Sequence, residues 1–310
     1  MKFAFAGTPA FAAQVLGRLL ARGLTPSLVV TQPPRPAGRG RKETPSAVAR
    51  MAGSSGLPLL ETANISAPDS VEALRSSGAR TLLVAAFGQL LRSPVLDAFD
   101  CVNVHASLLP RHRGAAPIAR ALMAGDAQTG VCVMRMTPGL DEGPVAVCST
   151  VSIAPWQDAG DVAAVLAVLG ADAVAHVLEA GGTDRVTWRD QEGPSTYAAK
   201  VTAYDRALDL TAPARTVHDA VRALSPDIGA RLRLGGLDLT VWRTWPDESH
   251  ARAVSGRPEM AVREGDRLFL GCGLGRIEVL EIQPAGKKRM GAADFLRGYG
   301  VTLGLSNTEP

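Results

Sequence analysis

The sequence predicts an α/β fold, a doubly wound and mostly parallel sheet of the Rossmann-like type, followed by a small all-β domain. From Lys2 to Leu178, short apolar segments typical of strands alternate with segments of helical periodicity, which is the rhythm of β-α-β units. After about Thr183, short strand-like segments separated by glycine turns replace that rhythm. Such spacing is typical of a small barrel or sandwich.

The elements of the first part follow from periodicity and from turn residues. The first helix carries Val15, Leu16, Leu19 and Leu20 on one face. The continuously apolar strand at 80–86 is typical of a sheet covered on both faces. Thr44 is the expected N-cap of the second helix, with Pro45 at its first position. In chain order, strands are predicted at 2–6, 28–31, 80–86, 101–104 and 130–136, and helices at 11–21, 44–53, 116–123 and 161–178.

The remainder divides into a linker and a second domain. The polar stretch 186–204, which contains Gly193-Pro194, is predicted to link a domain of residues 1–185 to a domain of residues 205–310. One helix is expected near 213–224. The predicted strands that follow are 231–234, 237–245, 267–270 and 276–283.

Composition narrows the class of protein. The chain has 310 residues, 46% hydrophobic and 20% charged, as expected for a globular protein with a full core, and a net charge of only +3. Four scattered cysteines lack C-x-x-C spacing, so we expect neither a zinc site nor a disulfide scaffold, but buried thiols suited to a reducing cytosol. Gly7-Thr8-Pro9 interrupts the apolar start, and no run resembles a membrane helix. A cytoplasmic protein without membrane association is expected.

The most informative segment is the polar row Asn103, His105 and Ser107. Side chains alternate along an extended chain, so these three are expected on one face at a strand end, before Pro110 and Gly114 stop the strand. A buried sheet would place apolar residues there. Asn103 can donate to an oxyanion, and His105 can donate or exchange a proton.

Four glycine-containing or basic segments leave alternatives open. Asp141, in the loop 139–143, could orient His105 or accept a proton, or could simply cap a turn. Gly7-Thr8-Pro9 lies where an α/β fold places a ligand, although a plain turn is favoured on this motif alone. The segment 32–42 carries four cations among prolines and glycines, so it is either a clamp for a phosphate backbone or a solvated loop. Lys287-Lys288-Arg289 could touch nucleic acid or form an ordinary exposed turn.

At these residues the sequence resembles the methionyl-tRNA formyltransferases, within the folate-dependent formyltransferase superfamily. The Asn103, His105, Ser-Leu-Leu-Pro and Leu-Asp elements are shared across the superfamily. Segments at 35–40, 113–118 and 283–288 resemble the tRNA enzymes specifically, and together the motifs span nearly the whole chain. The motifs are Phe5-Ala6-Gly7-Thr8-Pro9, Thr31-Gln32-Pro33, Arg35-Pro36-Ala37-Gly38-Arg39-Gly40, 103–110, Arg113-Gly114-Ala115-Ala116-Pro117-Ile118, Gly125-Asp126, Thr129-Gly130-Val131, Gly139-Leu140-Asp141, Gln283-Pro284-Ala285-Gly286-Lys287-Lys288 and Met290.

The resemblance implies an enzyme that transfers the formyl group of 10-formyltetrahydrofolate to the amino group of methionyl initiator tRNA, without a metal. It implies a catalytic triad of Asn103, His105 and Asp141, an OB-like C-terminal β-barrel that binds the tRNA, and a loop around Arg39 that enters the acceptor stem. A monomer is expected. The expected folate-binding residues are Phe87, Gly88, Ser107, Leu108, Leu109 and Pro110. The expected tRNA-binding residues are Arg35, Arg39, Arg41, Lys42, Lys200, Lys287 and Lys288.

Several positions depart from the family pattern, all outside the expected formyl-transfer site: Pro34, Ala203, Tyr204, Leu210 and 224–228. Three alternatives stand beside the tRNA enzyme. A formyltransferase acting on a sugar nucleotide or on glycinamide ribonucleotide would not need the basic loop and the second domain. A hydrolase passing the formyl group to water would have no use for a tRNA-reading domain. A non-catalytic RNA-binding module would not need Asn103, His105 and Asp141 intact.

Overall fold

The computed structural model describes residues 2–37, 42–248 and 261–305. Contacts divide the chain into two compact units. The first comprises Met1–Pro117, Gln128–Ser152 and Ala163–Ala199, and the second comprises Ile118–Ala127, Ile153–Val162 and Lys200–Pro310. The predicted linker 186–204 is thus shared between them, with 186–199 in the first unit and 200–204 in the second.

The strands and helices alternate through the first unit and give way to strands in the second. The strands are β1 (Phe3–Gly7), β2 (Leu28–Thr31), β3 (Arg35–Ala37), β4 (Lys42–Thr44), β5 (Leu59–Glu61), β6 (Thr81–Ala85), β7 (Asp100–His105), β8 (Arg113–Gly114), β9 (Gln128–Arg135), β10 (Val145–Ser152), β11 (Tyr197–Ala198), β12 (Ala230–Leu234), β13 (Leu237–Asp247), β14 (Ala261–Glu264), β15 (Arg267–Gly271), β16 (Arg276–Pro284) and β17 (Met290–Gly291). The α-helices are α1 (Ala10–Ala21), α2 (Ala47–Ser54), α3 (Pro68–Ser76), α4 (Ser93–Leu96), α5 (Pro117–Met123), α6 (Ala159–Glu179), α7 (Ala214–Ala223) and α8 (Ala292–Tyr299), and a 3-10 turn covers Thr183–Arg185.

The first unit is built on a seven-stranded sheet in the order β10-β9-β7-β6-β1-β2-β5. The five strands from β7 to β5 are parallel, whereas β9 and β10 run antiparallel at one edge. β1 and β6 are fully buried, as their continuous apolar sequence predicts. The chain leaves β1 toward β2 on one side and reaches β6 on the other, so the strand order reverses between β1 and β6. Ligands of open α/β sheets bind at such a reversal.

Two details of the predicted elements are corrected. The N-cap of α2 is Ser46 rather than Thr44, because the Ser46 hydroxyl accepts a hydrogen bond from the Ala49 amide. Thr44 instead ends β4. β10 was not predicted. It pairs with β9 in a register that sets Cys148 opposite Cys132.

The expectation that all four cysteines are thiols is wrong. Cys132 and Cys148 are bonded across the β9–β10 pair, with their Cα atoms 4.2 Å apart. They lie 16 positions apart without motif spacing, so only strand pairing brings them together. Cys101 and Cys272 are buried free thiols, and burial raises their pKa values to about 12 and about 11.

The expectation that no apolar run resembles a membrane helix is also wrong. α6 is long and apolar enough to cross a membrane by length and composition. More than half of the relevant window is buried within the protein, as in a core helix. Gly170 shows how closely α6 approaches the sheet, because a Cβ atom there would lie 2.6 Å from Val104 Cγ1.

The second unit is strand-rich, as predicted, and its strands pair antiparallel. Its main path runs β12-β13-β16-β15-β14, and β17 pairs with β16. α7 and α8 cover its core, where Val217, Val221 and Phe295 are buried with strand residues such as Val241 and Ile277. The finer likeness to an OB-fold stays a prediction.

Candidate active site

Asn103 and His105 lie on the same face of β7, where the strand ends. Both are buried, at 9% and 5% exposure. The parallel register places the end of β7 beside the ends of β6 and β1, since Val104 pairs with Ala85 and Ala85 pairs with Gly7. The row therefore lies at the carboxyl edge of the sheet, close to the reversal of strand order. The Asn103 amide makes no side-chain hydrogen bond to any other described residue, so its N–H groups are available to a ligand.

The chain turns sharply after His105, and the turn keeps Ser107 near the histidine. The Ser107 amide bonds back to the His105 carbonyl at 2.9 Å, which ends the extended geometry expected to continue through Ser107. The Ser107 hydroxyl donates to the Arg111 carbonyl at 2.6 Å and lies 3.4 Å from the His112 carbonyl. Ser107 is fully buried. Its hydroxyl therefore shapes the loop behind His105.

The same loop determines which nitrogen of His105 carries a proton. His105 Nε2 lies 2.9 Å from the His112 carbonyl oxygen. A carbonyl can only accept, so Nε2 is the protonated nitrogen and donates to it. Nδ1 is left as the nitrogen that can take up or release a proton on the other side of the ring.

Asp141 faces that second nitrogen. Its Oδ2 atom is 3.6 Å from His105 Nδ1, longer than a direct hydrogen bond, and accepts a hydrogen bond of 2.8 Å from the Gly114 amide. The side chain is 13% exposed. The structure thus brings together the three residues expected to form the site, from β7 and from the loop between β9 and β10.

The loop that carries Asp141 has an unusual backbone. Asp141 has φ of +51°, a left-handed conformation that L residues adopt rarely. At Gly143 a Cβ atom would overlap the Arg135 carbonyl, so the loop folds tightly back on the end of β9. Non-glycine residues in this conformation cost about 1–3 kcal/mol and persist where surrounding contacts hold them.

The segment 188–198, predicted as part of a linker, supplies such contacts. Gln191 donates from Nε2 to the carbonyls of Asp141 and Gly143, both at 2.8 Å. Thr196 accepts a hydrogen bond from the His112 amide through its hydroxyl. β11 pairs with β8, which contains Gly114. Gln191 and Thr196 were not identified from the sequence, because a polar stretch with Gly-Pro carries no local signal of these distant partners.

Phe87 and Gly88, expected near folate, follow β6 at the same edge of the sheet. The Phe87 ring is buried in a core cluster. Its carbonyl accepts from Thr8 Oγ1 at 2.8 Å and from Gln32 Nε2 at 2.7 Å. Gly88 has φ of +78°, and a Cβ atom there would lie 2.7 Å from Gln32 Nε2. These contacts join the loops after β1, β2 and β6.

Burial differs along the segment from Ser107 to Pro110. Leu108, Leu109 and Pro110 are half-buried, in contrast to Ser107. The Leu108 side chain packs so closely on Gly130 of β9 that a Cβ atom at Gly130 would overlap it. The segment therefore offers apolar surface beside the polar row.

The described parts of the basic segment include β3 and β4, which pair as an antiparallel two-stranded sheet. Arg35 is exposed and donates to the side-chain carbonyl of Gln32. Lys42 lies at the start of β4. Arg39 and Arg41 lie outside the described residues.

The other predicted tRNA-binding lysines belong to the second unit, and all are exposed: Lys200, Lys287 and Lys288. The carbonyl of Lys287 accepts a hydrogen bond from Gln283 at 2.7 Å. The backbone of this turn is therefore held while its side chains face solvent. Among the residues described, no group of three or more His, Cys, Asp or Glu is arranged to hold a metal ion.

Comparison with known families decides the relationship. Residues 1–178 match the formyl transferase family model, and residues 200–300 match the model for the formyl transferase C-terminal domain. The chain belongs to the formyl transferase family. It is 44% identical over 301 residues to a methionyl-tRNA formyltransferase of Methylobacterium sp. (strain 4-46), covering 96% of each chain. It is 41% identical to that of Methylococcus capsulatus, covering 97% of this chain and 98% of the relative.

Solved structures support the fold. A methionyl-tRNA formyltransferase from Clostridium thermocellum superposes with a TM-score of 0.58 at 13% identity, covering 80% of this chain and 94% of that one. HypX from Aquifex aeolicus superposes with a TM-score of 0.68 at 15% identity. That superposition covers 100% of this chain and 49% of HypX.

Proposed function

We propose that this protein transfers the formyl group of 10-formyltetrahydrofolate to the α-amino group of methionyl initiator tRNA, giving the formylmethionyl-tRNA used in translation initiation. The observation that carries the proposal is the convergence of Asn103, His105 and Asp141 at the carboxyl edge of the sheet, in a chain whose relatives over nearly its full length are methionyl-tRNA formyltransferases. We also propose that the protein is monomeric and cytoplasmic.

The reaction forms a bond between the amino nitrogen and the formyl carbon and breaks the bond from that carbon to N10 of the folate. The tetrahedral intermediate carries a negative charge on the formyl oxygen. The Asn103 amide is the proposed donor to this oxyanion, because it is buried and has no competing hydrogen bond to the described residues. A well-placed donor of this kind contributes about 3–4 kcal/mol.

One proton must leave the attacking amine and one must reach N10. His105 and Asp141 are the proposed groups for this movement. Nε2 of His105 is occupied by the His112 carbonyl, so Nδ1 is the nitrogen that would exchange the proton. Its separation of 3.6 Å from the Asp141 carboxylate leaves Asp141 able to receive the amine proton or to stabilise a charged imidazole.

The proposed folate contacts are Phe87, Gly88 and the segment from Ser107 to Pro110. Half-buried Leu108 and Leu109 offer apolar surface suited to an aromatic pteridine ring. The backbone groups near Phe87 and Gly88 lie beside the reversal of strand order, where α/β folds place ligands.

The proposed tRNA contacts are basic residues: Arg35, Lys42, Lys200, Lys287 and Lys288, together with Arg39 and Arg41, which lie outside the described residues. Arg35 and the three lysines of the second unit are exposed. Lysine and arginine side chains attract phosphate oxygens, and binding through them weakens with added salt. Neutralising any one of these side chains by substitution should lower the affinity for tRNA and should also reduce the salt dependence of binding.

The decisive experiment measures formyl transfer from 10-formyltetrahydrofolate to three acceptors: methionyl initiator tRNA, methionyl elongator tRNA and an amino sugar nucleotide. Selective formylation of the initiator is expected. Transfer to the sugar nucleotide, or release of formate without an acceptor, would keep the formyl chemistry but overturn the tRNA assignment.

A further inference from the structure

We propose that Gln191 is a positioning residue for formyl transfer, which holds the Asp141 carboxylate in register with His105 by binding the backbone carbonyls of Asp141 and Gly143. The proposal rests on the role of Asp141 proposed above and extends it to a residue outside the predicted site. It also gives the segment 188–198 a function other than linking two domains.

The side chain of Gln191 uses its full hydrogen-bonding capacity. Its amide nitrogen donates to the Asp141 and Gly143 carbonyls, and its oxygen accepts from Arg113 Nε at 3.0 Å and Nη2 at 2.7 Å. An amide has two N–H donors and two acceptor lone pairs, so all four are satisfied. The reverse orientation would set oxygen against two carbonyls and N–H groups against a guanidinium, so the network determines the orientation.

This clamp joins the two loops that form the candidate site. Arg113 immediately precedes Gly114, whose amide binds the Asp141 carboxylate. Gln191 therefore ties the Gly114 side of that contact to the Asp141 side. Because Asp141 has φ of +51°, its loop is held in a conformation that it would not favour alone.

Neighbouring contacts keep Gln191 itself in place. Arg189 pairs with Val145 through two backbone hydrogen bonds, of 2.8 Å and 3.0 Å. The Arg135 guanidinium lies over the Trp188 ring, 4.8 Å from its centroid. The segment is anchored to both strands that flank the Asp141 loop. The position of Gln191 is therefore fixed by contacts other than its own hydrogen bonds to that loop.

The most informative substitution is Gln191→Glu. A glutamate keeps the size and the two acceptor contacts to Arg113 but replaces the donor nitrogen with an oxygen facing two carbonyls. The Asp141 loop should then move while the Arg113 contact persists. Gln191→Ala removes both halves of the clamp. A displacement of about 1 Å at a catalytic group can lower a rate about 100-fold.

The test is a double-mutant cycle with Asp141→Asn, measured by steady-state formylation of methionyl initiator tRNA with substrate in excess over enzyme. For Gln191→Glu we expect kcat to fall at least about tenfold, with KM for the tRNA within about twofold of wild type. The double variant should be no slower than Asp141→Asn alone, because Gln191 acts through Asp141. Gln157→Ala is the matched control: this half-buried glutamine accepts one backbone hydrogen bond, from Ala154 at 2.8 Å, and should leave activity unchanged.

Circular dichroism and the thermal midpoint separate this role from a purely structural one. If Gln191→Glu lowers the midpoint but the folded enzyme keeps its kcat, the positioning role is refuted while the site stands. Additive losses in the cycle would refute it as well. If Asp141→Asn retains full activity, the proposed role of Asp141 fails first, and the role of Gln191 fails with it.

Discussion

Asn103 offers the sharpest test of the proposed chemistry, because its substitution should separate activity from stability. Leucine has the same number and branching of side-chain heavy atoms as asparagine, so Asn103→Leu preserves shape while removing both N–H donors. The residue is 9% exposed at the end of a buried strand, and its amide has no side-chain partner among the described residues. No protein group is therefore left unpaired by the change.

Two opposite effects follow. Burial of an amide without a partner costs about 1–3 kcal/mol by protein mutational data. Because the site is partly solvated, we expect the free energy of unfolding of Asn103→Leu to exceed that of wild type by about 1 kcal/mol. Removal of an oxyanion donor should lower kcat about 100- to 1,000-fold. A gain in stability with a loss of rate is the expected signature of a binding group that the fold itself does not use.

The assay is single-turnover formylation of methionyl initiator tRNA, with urea denaturation of the same preparations. Asn64→Leu is the matched control, since Asn64 lies in an exposed turn where its side chain accepts a hydrogen bond from the Ser66 amide. A rate within about threefold of wild type for Asn103→Leu would refute the oxyanion role, because removal of an oxyanion donor should slow the reaction about 100- to 1,000-fold.

Three further outcomes are expected. Asp219→Asn should lower the free energy of unfolding by about 3 kcal/mol in urea titrations, because the buried Arg222 loses the carboxylate 2.7 Å from its Nε atom; an effect below about 1 kcal/mol would contradict this. Burial lowers the pKa of His218, so the unfolded chain binds its proton first and stability should fall as the pH drops below about 6.5, whereas His218→Gln should lack that fall in pH-dependent thermal melts. Oxidised protein should present two titratable thiols after denaturation and four after reduction, and loss of the Cys132–Cys148 bond should cost about 3 kcal/mol; four thiols without reductant would show that the bond does not form.

Part of the candidate site follows from local sequence patterns. The polar row of Asn103 and His105 was predicted because a two-residue period decides which side chains share a face of a strand. The alternation of apolar strands and amphipathic helices likewise predicted the parallel sheet and the edge at which the row lies. These are properties of adjacent residues, so they can be read without knowing the fold.

The contacts that complete the site depend on residues far apart in the chain. Asp141 approaches His105 only because β9 pairs with β7, and Gln191 reaches the Asp141 loop only because its segment pairs with the start of β10. The same pairing of β9 with β10 sets Cys132 against Cys148. The sequence by itself determined many of the strands and helices and the residue types available for catalysis. The tertiary structure alone decided which of them meet, because a register between strands is chosen by the packing of the whole sheet rather than by any local pattern.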